Sequence, residues 1–146
     1  MARKGYRFVA HTADVEFIAG GKDVGEAFKN AALAMFDTIA DTDAMRKSKG
    51  RRVGFAVAVR ADGYDDLLWK MLQRCLTISS ARGLFCYAMS KPKIKMAGGA
   101  LALKATVSAL GERPEVSRLE VKGVSRYGLA VSKSRAGFSA SVVVDV

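Results

Sequence analysis

Three patterns predict an α+β fold, with a largely antiparallel β-sheet, two helices packed against it, and a single domain over residues 1–146. Two stretches repeat apolar residues at helical spacing. Several others alternate apolar and polar residues with period two. The later alternating segments are separated by turns rather than helices, which antiparallel pairing permits and parallel pairing does not.

The first helix is KDVGEAFKNAALAMFDTIA. Asp23 is a good N-cap residue, and Glu26, three positions on, suits a capping box. Val24, Ala27, Phe28, Ala31, Ala32, Met35, Phe36 and Ile39 form one apolar face. The acidic group at 41–43 is expected to end this helix, and the basic connector from Arg46 to Arg52 to run on as a mobile surface segment. The second helix is YDDLLWKMLQRCLTIS, capped by Asp65 or Asp66, with Leu67, Leu68, Met71, Leu72, Cys75 and Leu76 as its core stripe.

Period-two alternation predicts strands after Asp14 (Val15, Phe17), at Val53 to Val59 and at Leu101 to Ala109. Leu119 and Val121 suggest a further strand, and Tyr127, Leu129 and Val131 another. In the last strand Phe138, Ala140, Val142 and Val144 share one face. Gly98-Gly99, the segment from Gly111 to Pro114, and Arg135 to Gly137 supply the turns.

Half of the residues are hydrophobic, enough for a core and against disorder. No apolar run approaches the ~20 residues of a membrane helix, and MARKGYRF is not followed by the apolar stretch of a signal peptide. Cys75 and Cys86 lie in apolar runs without a CxxC partner and read as buried free thiols, in keeping with a cytoplasmic location. The net charge of +10 fits either a well-solvated surface or attraction to phosphates or an acidic protein. No RNP signature, zinc-finger spacing or GxxG loop accompanies the charge.

His11 is the sole histidine of the chain. Without a serine elbow or a Cys-His pairing, the sequence argues against nucleophilic catalysis, and GGKDVGEAF lacks the ending of a P-loop. His11 therefore reads as a strand-end residue bonded to backbone in preference to a catalytic one. Asp14 and Asp145 are lone carboxylates at the start of one strand and the end of another. Either they are solvated, or they belong to a hard-cation site, where carboxylate and carbonyl oxygens suit Ca²⁺ or Mg²⁺ rather than zinc. The carbonyl of Val146 would add an oxygen to the second arrangement.

The blocks HTADVEF, AGGKDVGEAFKNAALAMF, LLWKMLQRCL, GERPEVSRLEVKGVSRYGLAV and the ending VVVDV together resemble the archease family over nearly the whole chain. The pairing of HTAD with a terminal D-V is the specific part. The resemblance implies a small cytoplasmic protein with no reaction of its own. Such a protein activates the RtcB-type RNA ligase of tRNA splicing and RNA repair, speeding guanylylation of the ligase and allowing multiple turnover. It also implies a divalent cation, Ca²⁺ or Mg²⁺, on Asp14, Asp145 and the carbonyl of Val146, so that the metal would join the two strands. Lys122, in the matching VKGV stretch, is either a solvated strand lysine or a contact to ligase or nucleotide phosphate, as is His11. Three positions depart from the family pattern. Arg74 stands where an acidic residue is usual, Arg126 and Tyr127 where Tyr-His is usual, and the chain is basic where members are often acidic. A second reading follows from the charge alone: a small basic module that binds RNA directly.

Overall fold

The computed structural model describes residues 5–9 and 14–146. In chain order the elements are β1 (Tyr6–Val9), β2 (Val15–Gly21), α1 (Val24–Ile39), α2 (Thr42–Lys47), β3 (Val53–Ala61) and α3 (Tyr64–Arg82). There follow β4 (Leu84–Met89), β5 (Lys93–Ala97), β6 (Ala100–Gly111), a 3-10 turn at Pro114–Val116, β7 (Gly123–Val124), β8 (Ala130–Ser134) and β9 (Gly137–Asp145). Every ladder is antiparallel. The strands divide between two sheets: β1-β2-β9-β7 with β8 also on β9, and β3-β6-β4 with β5 also on β6.

The two long helices touch strands of both sheets, α1 contacting β2, β9 and β4, and α3 contacting β3, β4, β6, β7 and β8. One core results. Phe17, Ala140, Val142 and Val144 of the first sheet meet Val57, Leu103 and Val107 of the second through Phe28, Met35, Leu68 and Met71 of the helices. A helix gripped on several sides needs small residues where backbones approach, and α1 has Ala27, Ala31, Ala32 and Ala34, all fully buried. At Gly25 a Cβ would lie 2.8 Å from the Pro92 carbonyl oxygen, so no larger residue fits without a shift.

The Asp23 side chain caps α1 as expected, accepting from the Glu26 N–H at 2.9 Å. Neither Asp65 nor Asp66 caps α3, since Gly63 occupies the N-cap without a side-chain bond. Asp65 instead accepts from the Val131 N–H, and Asp66 pairs with Lys70 and Arg126. The helix ends at Gly83, whose φ of 64° is the left-handed stop that glycine adopts without strain.

The connector after α1 departs from expectation. Asp41 ends α1 only in the sense that it starts α2, its side chain accepting from the Ala44 N–H. Met45 anchors α2 in a second apolar cluster with Phe85, Leu110 and Val116. Arg52 then donates to the carbonyls of Met45, Arg46 and Ser48. Arg46 to Arg52 lies largely on the surface, as expected, with Arg52 bonded to backbone acceptors and the buried Met45 just before it. Leu119 and Val121 form no strand; the chain there runs past α1, with the Arg118 N–H on the Ile39 carbonyl, before pairing as β7. Tyr127 lies in a turn, 89% exposed, and only Val131 of the proposed fourth strand is in β8.

Candidate functional site

Strand β2 pairs with β9 from Gly21↔Phe138 to Val15↔Val144. Continued by one position, the register sets Asp14 against Asp145, on chain ends remote in sequence. The alternation along β9 buries Ala140, Val142 and Val144 and leaves Asp145 exposed, while Asp14 is half-buried. On the other side of β9, Gly123 of β7 is the partner of Asp145, and the Lys122 N–H donates to the Asp145 carbonyl at 2.7 Å. The Gly123 Cα side faces both an Asp145 carboxylate oxygen and the Gln73 amide oxygen, each 3.9 Å from where a Cβ would stand. Gln73 in turn accepts from the Val124 N–H, fixing α3 to β7 beside the site.

Asp14 also borders an open hollow of about 570 Å³ with Phe8, Val15, Asp37 and Arg118. Asp37 is the buried carboxylate here. Its oxygens accept from Thr42 Oγ1 at 3.1 Å, from Tyr6 Oη at 3.4 Å and from Arg118 Nη1 at 3.1 Å. Burial, and then the Asp37 charge, push the Tyr6 phenol up to about 12. Sequence reasoning missed this network, although a signal existed. A carboxylate near the C-terminal end of a helix opposes the helix dipole, so Asp37 in an otherwise apolar run implies a cationic partner.

The sequence-predicted residues thus fall into three groups. Asp14, Asp145, Lys122 and Val146 come together at one end of the first sheet; Val146 is half-buried against the core. His11 lies outside the described residues. Arg74 lies in α3 and Arg126 beside it, where Arg126 stacks 3.9 Å over the Trp69 ring and pairs with Asp66.

The side-chain carboxylates of Asp14 and Asp145 have no hydrogen-bonded or ionic partner among the described residues. Carboxylate oxygens of this kind are hard donors that could hold Ca²⁺ or Mg²⁺ rather than zinc. Among the described residues no third His, Cys, Asp or Glu joins them, so a cation there would complete its shell with carbonyl or water oxygens. The two cysteines stand apart from this chemistry: both are free and buried, and burial pushes the Cys86 thiol up to about 12. Such thiols are neutral and poor nucleophiles. Among the described residues no helix is long and apolar enough to cross a membrane.

Fold and site together define a class: a small α+β protein with a carboxylate pair where two strands meet and, among the described residues, no buried nucleophile poised for attack. The comparisons with known proteins bear on the family and the fold. The family model described as "Archease protein family (MTH1598/TM1083)" matches residues 6–146. Protein archease of Methanosarcina mazei is 32% identical over 145 residues, covering 98% of this chain and 97% of the relative. That of Methanothermobacter thermautotrophicus is 32% identical over 146 residues, covering 98% and 99%. The solution structure of Methanobacterium thermoautotrophicum protein 1598 superposes with a TM-score of 0.79 at 31% identity, covering 99% of this chain and all of that one. A Thermotoga maritima crystal structure, described as an archease and possible chaperone, shares the fold with a TM-score of 0.63 at 15% identity. The chain belongs to the archease family.

Proposed function

We propose that this chain is a non-catalytic, divalent-metal-binding protein cofactor that activates an RtcB-type RNA ligase in tRNA splicing and RNA repair. One observation carries the reading: the β2–β9 register, continued by one position, brings Asp14 and Asp145 to neighbouring positions, with no ion pair to either carboxylate among the described residues. Asp14, Asp145 and the Val146 carbonyl would hold a Ca²⁺ or Mg²⁺ ion, which would supply a compact positive charge at the sheet end. The chain's own residues do the rest. The β2–β9 ladder sets the start of β2 beside the end of β9. The Lys122 N–H holds the Asp145 backbone. Lys122, exposed beside Asp145, would contact the ligase or a nucleotide phosphate. A cytoplasmic setting and a protein partner suit this role.

The test is guanylylation of a ligase from the same organism, with and without this protein, in buffered Ca²⁺, Mg²⁺ or chelator. Wild type should speed the nucleotidyl step and support repeated turnover. Asp14→Ala and Asp145→Ala should return the rate to that of ligase alone while keeping the fold. Normal activation by a variant that binds no metal would sink the metal-centred mechanism; an inert wild type would sink the ligase reading.

A further inference from the structure

The second sheet has an outer face that the site at the end of the first sheet does not use. β6 lies between β3 and β5 there, and the registers align residues in rows. Ala58 faces Lys104, which faces Lys93; Arg60 faces Ala102, which faces Lys95. Rows two residues apart share a face, so Arg60, Lys93, Lys95 and Lys104 point the same way, and all four are exposed. Lys93 and Lys104 stand directly opposite each other, a like-charge pair that costs stability. None of the three lysines has an ion-pair partner among the described residues, and Arg60 donates only to the Ala97 carbonyl. From Gly54 to Arg60, Ala100 to Ser108 and Lys93 to Ala97, the outward positions hold only glycine, alanine, serine, threonine and cations.

The other end of this face is also basic. There α2 covers the sheet, Arg46 donates to the Tyr87 carbonyl, and Arg52 lies 5.1 Å over the Tyr87 ring. Arg52 and Arg60 bracket β3, eight residues and about 26 Å apart in extended chain.

We propose that this face binds the phosphate backbone of single-stranded RNA. The choice over an acidic protein rests on relief and chemistry. Tight protein interfaces centre on large apolar or aromatic anchors, and the open part of this face offers only small side chains. A phosphate chain needs no such anchor, since counterion release supplies most of its affinity, and low relief lets it lie along the strands. Tyr87 with Arg52 gives one base a place to stack at the covered end. The inference does not depend on the ligase reading, because it concerns this protein with RNA alone.

The experiment is fluorescence anisotropy of a labelled oligouridine of about 20 nucleotides, without ligase, between about 50 and 200 mM salt. Lys93→Thr, Lys95→Thr and Lys104→Thr are combined, threonine being chosen because it suits strands. A control combines Lys22→Ala, Arg82→Ala and Arg135→Ala, which removes the same charge elsewhere on the surface. Wild type should bind with affinity falling steeply as salt rises. The strand variant should bind roughly tenfold or more weakly, with the slope of log K against log salt reduced by about 2. The control should stay within about twofold of wild type. An equal fall in both variants, or no saturable binding by wild type at low salt, would overturn the proposal. Competition by polyglutamate as strong as by RNA at equal charge would overturn it in favour of an acidic protein. A melting curve for each variant confirms that the compared proteins are folded.

Discussion

The two sheets differ in where they leave charge unpaired. At the end of the first sheet, the carboxylates of Asp14 and Asp145 have no ion-pair partner among the described residues. Across the outer face of the second, four cations gather without a carboxylate. Elsewhere opposite charges meet, as at Asp23 with Lys91, Asp66 with Arg126, and Asp37 with Arg118. A chain able to pair its charges leaves two clusters unneutralised, one of each sign, on different sheets. Self-repulsion within each cluster opposes folding, and in each case a bound ligand of opposite charge would relieve it. The pattern separates a small-cation site from a polyanion surface.

The largest expected effect sharpens that contrast. A ligand selective for the folded state stabilises it by about 2.7 kcal/mol at a hundred times its Kd. On a domain of this size that raises Tm by roughly 5–10 °C. Ca²⁺ should raise the Tm of wild type and of the strand-lysine variant alike, and should leave Asp14→Ala and Asp145→Ala unmoved. Calorimetry against thermal scans with chelator checks it, and full stabilisation of both aspartate variants would erase the distinction between the sheets.

A smaller effect probes the pairing rule itself. Arg118 is the described cation on buried Asp37, and it also bonds the Asp37 carbonyl. Arg118→Ala should destabilise by about 2 kcal/mol, because a mostly buried carboxylate loses its charged donor. Half-exposure of Arg118 keeps the cost below that of a fully buried pair. A denaturant titration reads it; a change under about 0.5 kcal/mol would mean that Thr42 and Tyr6 suffice to hold Asp37.

The smallest effect has the opposite sign. Lys104→Thr alone relieves the repulsion with Lys93 and should stabilise by roughly 0.5 kcal/mol at low salt. The gain should shrink as salt screens the pair. A loss of stability, or a gain indifferent to salt, would show that the cations of this face are not in mutual strain.

Much of this architecture was legible in the sequence, and the failures have local causes. Strong periodicity marked α1, α3, β3, β6 and β9. Strand β4 escaped notice because LFCYAM is apolar throughout and a bulge between Cys86 and Ala88 breaks its alternation. Strands β1 and β5 are short and carry exposed apolar residues, Phe8 and Met96, that blur the pattern. Leu119 and Val121 alternated convincingly, yet pairing needs a neighbour, and α1 lies there instead. Asp14 and Asp145 could be named from the chain but not joined, since their proximity depends on a register more than a hundred residues long in sequence separation. The cationic face was hidden for the same reason: Lys93, Lys95, Lys104 and Arg60 form a cluster only after three strands align.

The enclosure of α1 has a consequence in time rather than in space. Ten of its sixteen residues are buried, and both sheets pack on it. No partial opening of either sheet alone would bring its amides to water. Their hydrogens should therefore exchange with deuterium only through global unfolding, at one common and slow rate. The β5–β6 turn at Gly98-Gly99, held at the sheet rim, should exchange many times faster in the same sample. The helix is the last part of the molecule to meet solvent, and its exchange rate reads the stability of the whole chain.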